Sequence, residues 1–173
     1  AEQSQKEGVA PGIRSSGARL NVGYSGHLYP GKGMEVLNPL IRQAPDFYFH
    51  IVGGRNRDVD YWKSCFASVP NCVFHGHLPP NQVYSYIAAF DVCLLPNQPI
   101  VNPNPNPNPN PNPNSNLNSD IGSYTSPLKL FEYMACEKPI IASDLPVIRE
   151  VLEHNHNAIL CPHDEPAAWR EAL

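Results

Sequence analysis

Short apolar runs alternate with amphipathic stretches along most of the chain, and this pattern predicts strands separated by helices. The run Val92–Leu95 is continuously apolar, as is typical of a strand in a parallel sheet that is covered on both faces. Residues 36–41 place their aliphatic side chains on one helix face, although Pro39 within this stretch predicts a kink or a late restart. The pattern therefore favours one sheet with helices packed on both of its faces.

The strands and helices predicted from this pattern follow one another in strict alternation. The predicted strands are Arg19–Tyr24, Phe47–Val52, Cys72–His75, Val92–Leu95, Pro139–Ala142 and Ala158–Cys161. The predicted helices are the stretch that follows Gly33, then Val59–Ser68, Gln82–Phe90, Pro127–Cys136, Val147–Glu153 and Glu165–Leu173. This order indicates the α/β class, with an open parallel sheet and right-handed crossovers. In such sheets ligands bind beyond the carboxyl ends of the strands.

Two segments fall outside the alternation. Residues 1–17 are polar and rich in Gly, Ser and charge, which predicts a linker or disordered terminus ahead of one domain over residues 18–173. Residues 102–118 form a low-complexity insert that begins as an Asn-Pro repeat, and alternate prolines forbid a helix or a paired strand. We expect a solvated, semi-stiff loop, with a recognition arm or a lid over the site as the functional alternative.

Composition narrows the possible classes of function. The net charge of −4 argues against a nucleic-acid-binding surface, which would show clustered Lys and Arg. No apolar run approaches the length of a membrane span. Five cysteines at scattered spacings indicate reduced thiols and a cytoplasmic location rather than a disulfide framework. The 173 residues do not start with methionine and are expected to be one domain excised from a longer protein.

The segment Ser126–Asp144 carries the most specific chemistry. Ser126 is a good N-cap and the proline after it suits the first helical position, so the amides of Leu128 and Lys129 should point out of the helix start. The helix dipole favours an anion there. Glu132 lies one turn further along on the same face and can accept hydrogen bonds from two hydroxyl groups. An anion cradle beside a carboxylate is what a ribose-diphosphate needs.

A glycine-rich turn after the first strand is a second candidate at the same edge of the sheet. Gly26, Gly31 and Gly33 would let the backbone approach a diphosphate closely, and Lys32 would supply a compact positive charge on the leaving group. The turn also nearly spells a P-loop, but Gly33 stands where a hydroxyl group should hold Mg²⁺. An NTPase is therefore a minor alternative, and so is a plain glycine-rich loop with a surface lysine.

Other groupings of reactive side chains are weaker. Cys72, His75 and His77 lack the second paired half of a zinc site, and the two rings would diverge across the end of a strand. Asp91 precedes its strand, so only Asp144 stands where an acid that binds Mg²⁺ in an NTPase would lie. No metal site is predicted, and no catalytic Ser-His-Asp set or Cys-His pair can be argued from spacing.

The glycine-rich turn and the Ser126–Asp144 segment together resemble the nucleotide-binding segments of the retaining glycosyltransferases of family 4, the group 1 transferases, which have a GT-B fold. The resemblance covers roughly Leu20–Leu173. It implies that the chain is the C-terminal, donor-binding half, a Rossmann-like domain that binds a nucleotide sugar. The family typically carries two glutamates eight positions apart, of which Glu132 matches the second, on the ribose. The first, near the donor sugar, falls on Tyr124.

The resemblance implies further roles at the site. Lys32 matches a lysine that binds the diphosphate, whereas His27 replaces an arginine, so its contact should be weaker and dependent on pH. His77 and Leu78 match a turn whose backbone contacts the base, and Leu78 would cap the base plane. Glu137 stands where a glycine is common, a smaller departure.

The expected function is transfer of a sugar from a UDP- or GDP-linked donor with retention of configuration, without a metal or other cofactor. Lys32 and Glu132 would be the principal catalytic residues. An acceptor glycan or lipid would bind to a missing N-terminal domain, so this chain alone should turn over little.

A cytoplasmic location is expected, with peripheral membrane association as a property common in the family. Alternatives are a nucleotide-sugar epimerase of the same fold and a non-catalytic nucleotide-binding or interaction module. Oligomeric state is not predicted.

Overall fold

The computed structural model describes Ala10, Ile13 and residues 19–99 and 128–173. Six parallel strands form one sheet in the order β3-β2-β1-β4-β5-β6. The strands are β1 (Asn21–Ser25), β2 (Tyr48–Val52), β3 (Cys72–Gly76), β4 (Val92–Leu95), β5 (Ile140–Ser143) and β6 (Ile159–Cys161). The predicted open parallel α/β sheet is confirmed.

Helices cover both faces of this sheet. The described helices are α1 (Met34–Gln43), α2 (Asn56–Cys65), α3 (Pro80–Ala89), α4 (Leu128–Ala135), α5 (Pro146–Arg149) and α6 (Pro166–Ala172). One apolar cluster joins α1, α2 and α6 to one face, and a second joins α3, α4 and α5 to the other. Alternate residues of β4 serve the two clusters, since Leu94 belongs to the first and Cys93 and Leu95 to the second. This two-sided burial explains why β4 is continuously apolar.

Several predicted boundaries differ from those in the structure. Helix α1 begins at Met34 and runs through Pro39, so the late restart predicted from that proline is wrong. Helix α5 ends at Arg149, whereas the sequence pattern extends it to Glu153. The Asn157 side chain accepts a hydrogen bond from the Glu153 amide at 2.7 Å and donates one to the Val151 carbonyl at 3.2 Å. These local bonds compete with further helical turns.

The predicted linker and the predicted insert fall mostly outside the described residues. Of residues 1–17 the structure describes Ala10 and Ile13, and both are buried in the apolar cluster beneath α3 and α4. The Asn-Pro insert at residues 102–118 lies outside the described residues altogether. In the described ranges, no helix combines the length and the apolar character needed to cross a bilayer.

A polar cluster, here called the His50 cluster, lies within the sheet and consists of Asn21, His50, His75 and Asp91. The Asn21 amide and side chain donate to Asp91 Oδ2 at 2.7 and 3.3 Å, and His50 Nε2 lies 3.2 Å from Asn21 Oδ1. Since that oxygen accepts, His50 Nε2 carries the proton, and His50 Nδ1 accepts from His75 Nε2 at 3.0 Å. Burial lowers the pKa of His50 to about 4, so the ring is neutral at pH 7.

The carboxyl end of α4 is closed by a Schellman motif. The Lys138 amide donates to the Tyr133 carbonyl at 3.1 Å and the Glu137 amide donates to the Met134 carbonyl at 2.9 Å. Glu137 has φ 53, in the left-handed region where glycine is favoured. The glutamate therefore carries a local strain that a glycine would relieve.

Candidate functional site

The carboxyl ends of β1, β2 and β3 open onto one cavity of about 800 Å³, which the first turns of α3 and α4 complete. The chain turns to opposite sides of the sheet after β1 and β4, which is the place where open α/β sheets bind ligands. The sequence-predicted residues that line this cavity are Gly26, His27, Lys32, His77, Leu78, Leu128, Lys129 and Glu132. The glycine-rich turn, the turn at His77 and Leu78 and the start of α4 are therefore brought together.

Two other predicted site residues, Gly31 and Gly33, do not line the cavity. The Gly31 and Gly33 amides donate to the Glu35 carboxylate at 2.7 and 3.1 Å. Both glycines shape the turn, with φ of 89 and 105, and their approach to a diphosphate stays a prediction. Tyr124 and Ser126 lie outside the described residues.

The glycine-rich turn is held from several sides. Tyr24 Oη lies 2.6 Å from the His27 carbonyl oxygen and 3.0 Å from that of Lys32, and so ties both ends of the turn to β1. The Trp62 indole donates to the Leu28 carbonyl at 3.1 Å, and the backbone amide of Gln98 donates to the Gly31 carbonyl at 3.1 Å. With these bonds in place, the Lys32 side chain extends from a fixed backbone.

A second turn, Gly53-Gly54-Arg55 at the end of β2, packs directly on the first. The Gly26 amide donates to the Val52 carbonyl at 2.9 Å. A Cβ at Gly53, where φ is 104, would lie 2.3 Å from the Gly26 carbonyl oxygen. A Cβ at Gly54 would lie 2.6 Å from Leu28 Cδ1. Only glycines permit this approach, which brings Arg55 to the cavity wall.

Basic side chains line the part of the cavity at β1 and β2. Lys32 Nζ lies 5.6 Å from the centre of the Tyr29 ring, and burial lowers its pKa. Desolvation, followed by the positive charges of Lys32 and Arg55, lowers the pKa of His27 below its ordinary value, so this ring is neutral at pH 7. Among the described residues, neither Lys32 nor Arg55 forms a salt bridge with an acid.

The first turn of α4 presents an ion pair to the same cavity. Lys129 Nζ lies 2.6 Å from Glu132 Oε2, and both side chains are about one-quarter to one-third exposed. The pair occupies one carboxylate oxygen and leaves Oε1 of Glu132 for another donor. Helix α4 is fixed to the sheet because the Ser25 amide donates to Tyr133 Oη at 2.9 Å.

Apolar side chains line the part of the cavity at β3 and α3. This wall consists of Leu78, Pro80, Val83 and the half-exposed Tyr84. Neighbouring strands lie about 4.8 Å apart, so the end of β3 is roughly 10 Å from the end of β1 across β2. The cavity therefore has an apolar side at β3 and α3 and a cationic side at β1 and β2.

The residues considered for a metal or an NTPase are placed elsewhere. His75 belongs to the His50 cluster, and burial raises the pKa of the Cys72 thiol to about 12. Asp144 is paired with Arg149 and does not line the cavity. Within residues 19–99 and 128–173, no three His, Cys, Asp or Glu side chains converge as metal ligands would.

Sequence reasoning missed Arg55, Tyr84, Asn97 and Glu35. The first three line the cavity, and the fourth occupies the amides of the glycine-rich turn. A signal existed for Arg55 and Asn97, since each follows closely on the carboxyl end of a strand. Glu35 and Tyr84 lie in helices, where nothing in the spacing separates them from ordinary exposed positions.

Comparison with known proteins identifies the family of this chain. The family model described as glycosyl transferases group 1 matches residues 19–173. TuaH of Bacillus subtilis strain 168, whose name assigns it to teichuronic acid biosynthesis as a glycosyltransferase, is 25% identical over 127 residues, which are 72% of this chain and 27% of that protein. The chain thus spans about a quarter of the length of that relative.

Solved structures show the same fold. HepE from Anabaena, solved with UDP and glucose, matches with a TM-score of 0.63 and 19% identity over 89% of this chain and 37% of that chain. The C-terminal domain of the group 1 protein LpcC from Francisella tularensis matches with a TM-score of 0.61 and 17% identity, over 88% of this chain and 72% of that domain. The sheet is the Rossmann-like half of a GT-B fold, and the chain belongs to the group 1 glycosyltransferases.

Proposed function

We propose that the chain is the donor-binding half of a retaining glycosyltransferase and that its cavity takes a UDP- or GDP-linked sugar. The observation that carries this proposal is the division of one cavity into an apolar end, at Leu78 and Tyr84, and a cationic end, at Lys32 and Arg55. A nucleobase fits the first end and a diphosphate the second, with the ribose between them.

The relatives support the same class of ligand. HepE was solved with UDP and glucose, and the name of TuaH describes a glycosyltransferase of teichuronic acid biosynthesis. By analogy, the acceptor here would be a glycan or a lipid, bound by a domain outside this chain. The parent protein would then meet the acceptor at the rim of the cavity, at the cytoplasmic side of a membrane.

The reaction would leave a nucleoside diphosphate as the leaving group. Its growing negative charge would be stabilised by Lys32, whose partial burial strengthens that electrostatic interaction. Oε1 of Glu132 would accept from the ribose hydroxyls, and Lys129 would hold the carboxylate in place through Oε2. Transfer would proceed with retention of configuration. No metal ion would be needed, because positively charged side chains would balance the negative charge of the diphosphate.

Calorimetric titration of the 173-residue chain with UDP, GDP and ADP tests the proposal. We expect one diphosphate to bind selectively, with a loss of about 1 to 3 kcal/mol in Lys32→Ala and in Glu132→Ala. The control is Lys63→Ala, which removes a lysine of α2 that does not line the cavity. Absence of binding by all three nucleotides would contradict the proposal, and equal losses in the control would show a non-specific charge effect.

A further inference from the structure

Five basic side chains of the described residues line the cavity, and they differ in what they can offer to an anion. These are His27, Lys32, Arg55, His77 and Lys129, of which His77 stands before Leu78 at the β3 side. Lys129 is already paired with Glu132 at 2.6 Å, so its charge is largely balanced. Burial lowers the pKa of His27, the positive charges of Lys32, Arg55 and Lys129 lower it further, and the carboxylate of Asp58 raises it. The net shift is downward, so the His27 ring is uncharged at neutral pH. Lys32 and Arg55 remain as cations without an acidic partner among the described residues.

The backbone of Arg55 is fixed on both sides. Before it, Gly53 and Gly54 pack on the glycine-rich turn with no room for a side chain. After it, the Arg55 carbonyl accepts from the Asp58 and Val59 amides, both at 2.9 Å, as the N-cap residue of α2. The guanidinium thus extends from an anchored residue beside His27 and Tyr29, whose pKa values both respond to its charge.

We propose that Arg55 is the second diphosphate-binding cation of this cavity and takes the role that the neighbouring His27 does not fill. The inference rests on the proposed donor site and names a residue that determines its affinity. Lys32 would meet the diphosphate from the end of β1 and Arg55 from the end of β2. A planar guanidinium can donate two parallel hydrogen bonds to one phosphate, which the lysine cannot.

Arg57 offers a matched control two residues away. Arg57 carries the same charge as Arg55, is mostly exposed and does not line the cavity. Its Nε lies 3.4 Å from Asp58 Oδ1. We expect Arg55→Ala to weaken binding of UDP, or of GDP or ADP where that nucleotide binds instead, by roughly ten- to a hundredfold. Arg57→Ala should change it less than about threefold. Thermal unfolding of both variants should match that of the unaltered chain, because both side chains are exposed.

A relocated charge makes the test sharper. In the double variant His27→Arg with Arg55→Ala, the guanidinium returns to the cavity from the adjacent turn, and affinity should recover to within about threefold of the unaltered chain. Arg55→Lys should restore only part of the loss, because lysine lacks the planar fork. The corresponding nucleoside should bind equally to the unaltered chain and Arg55→Ala, since it carries no phosphate.

The outcomes separate this inference from the proposed function. If the unaltered chain binds a nucleoside diphosphate and Arg55→Ala binds it equally well, the role of Arg55 is overturned and the donor site stands. If Arg55→Ala and Arg57→Ala weaken binding equally, the effect is one of overall charge and the inference again fails. If the unaltered chain binds none of the three diphosphates, the proposed function and this inference both fail.

Discussion

The polar groups inside the sheet and those at its carboxyl edge differ in how completely they are paired. In the His50 cluster, side chains from β1, β2 and β3 bond to one another, and the chain of bonds ends at the carboxylate of Asp91, just before β4. At the edge, Lys32 and Arg55 have no acidic partner among the described residues, although burial lowers the pKa of Lys32. The cluster therefore serves the fold, whereas the cations at the edge are left available to an anion from outside the described residues.

The largest effect should come from breaking the frame that holds the edge. Gly53→Ala would force a Cβ to within 2.3 Å of the Gly26 carbonyl oxygen at a residue whose φ is 104. We expect a loss of about 3 kcal/mol in the free energy of unfolding and loss of nucleotide binding. Gly76→Ala is the control, because Gly76 also has a positive φ but open space around it, and should cost about 1 kcal/mol. Equal costs in denaturant titrations would contradict the packing argument.

The second prediction concerns the cluster and pH. The pKa of His50 is about 4 in the folded chain and about 6.5 when unfolded, so the unfolded state binds more protons between these values. Stability present above pH 6.5 should therefore be lost as the pH falls towards 4, by up to roughly 3 kcal/mol. His50→Gln keeps a hydrogen-bonding side chain that does not titrate, and should flatten this part of the curve. An unchanged slope in urea unfolding across this range would count against the assigned protonation state.

The third prediction concerns the link between α4 and the sheet. Tyr133→Phe leaves the buried Ser25 amide without its acceptor and should cost about 1 to 2 kcal/mol of unfolding free energy. Since Ser25 lines the cavity, nucleotide affinity should fall as well. Stability unchanged on denaturant unfolding would mean that the hydroxyl group contributes nothing to the fold.

The smallest effect on folding should come from the cations at the edge. Lys32→Met keeps most of the apolar stem and removes a charge that burial disfavours, so the unfolding free energy at pH 7 should change by less than about 0.5 kcal/mol. Nucleotide affinity should nevertheless fall strongly in calorimetry. A large loss of stability in this variant would mean that the edge is a structural cluster like that of His50.

The sequence predicted the fold well wherever the signal was local. The bounds of β4 agree with its apolar run, and Lys32, Glu132, His77 and Leu78 all line the cavity as expected. Two features that the sequence did not predict arise where a side chain bonds to backbone groups a few residues away. Asn157 ends α5 early, and Glu35 occupies the amides of the glycine-rich turn. Such bonds depend on geometry that spacing does not encode.

Arg55 shows a different limit of prediction. The sequence shows that Arg55 follows a predicted strand. Its place at the cavity, however, depends on β2 lying beside β1, which brings the two turns into contact. A single sequence gives the order of the elements along the chain, whereas the order across the sheet decides which strand ends share a cavity.

The central place of β1 has a consequence for synthesis on the ribosome. Strands β1, β2 and β3 can pair once residue 76 has emerged, but the second edge of β1 pairs with β4, at Val92 and Cys93. A nascent chain therefore passes through a stage in which a three-stranded sheet displays an open inner edge, a template for pairing with other chains. Translation through Leu95, the last residue of β4, supplies the missing neighbour and ends that exposure.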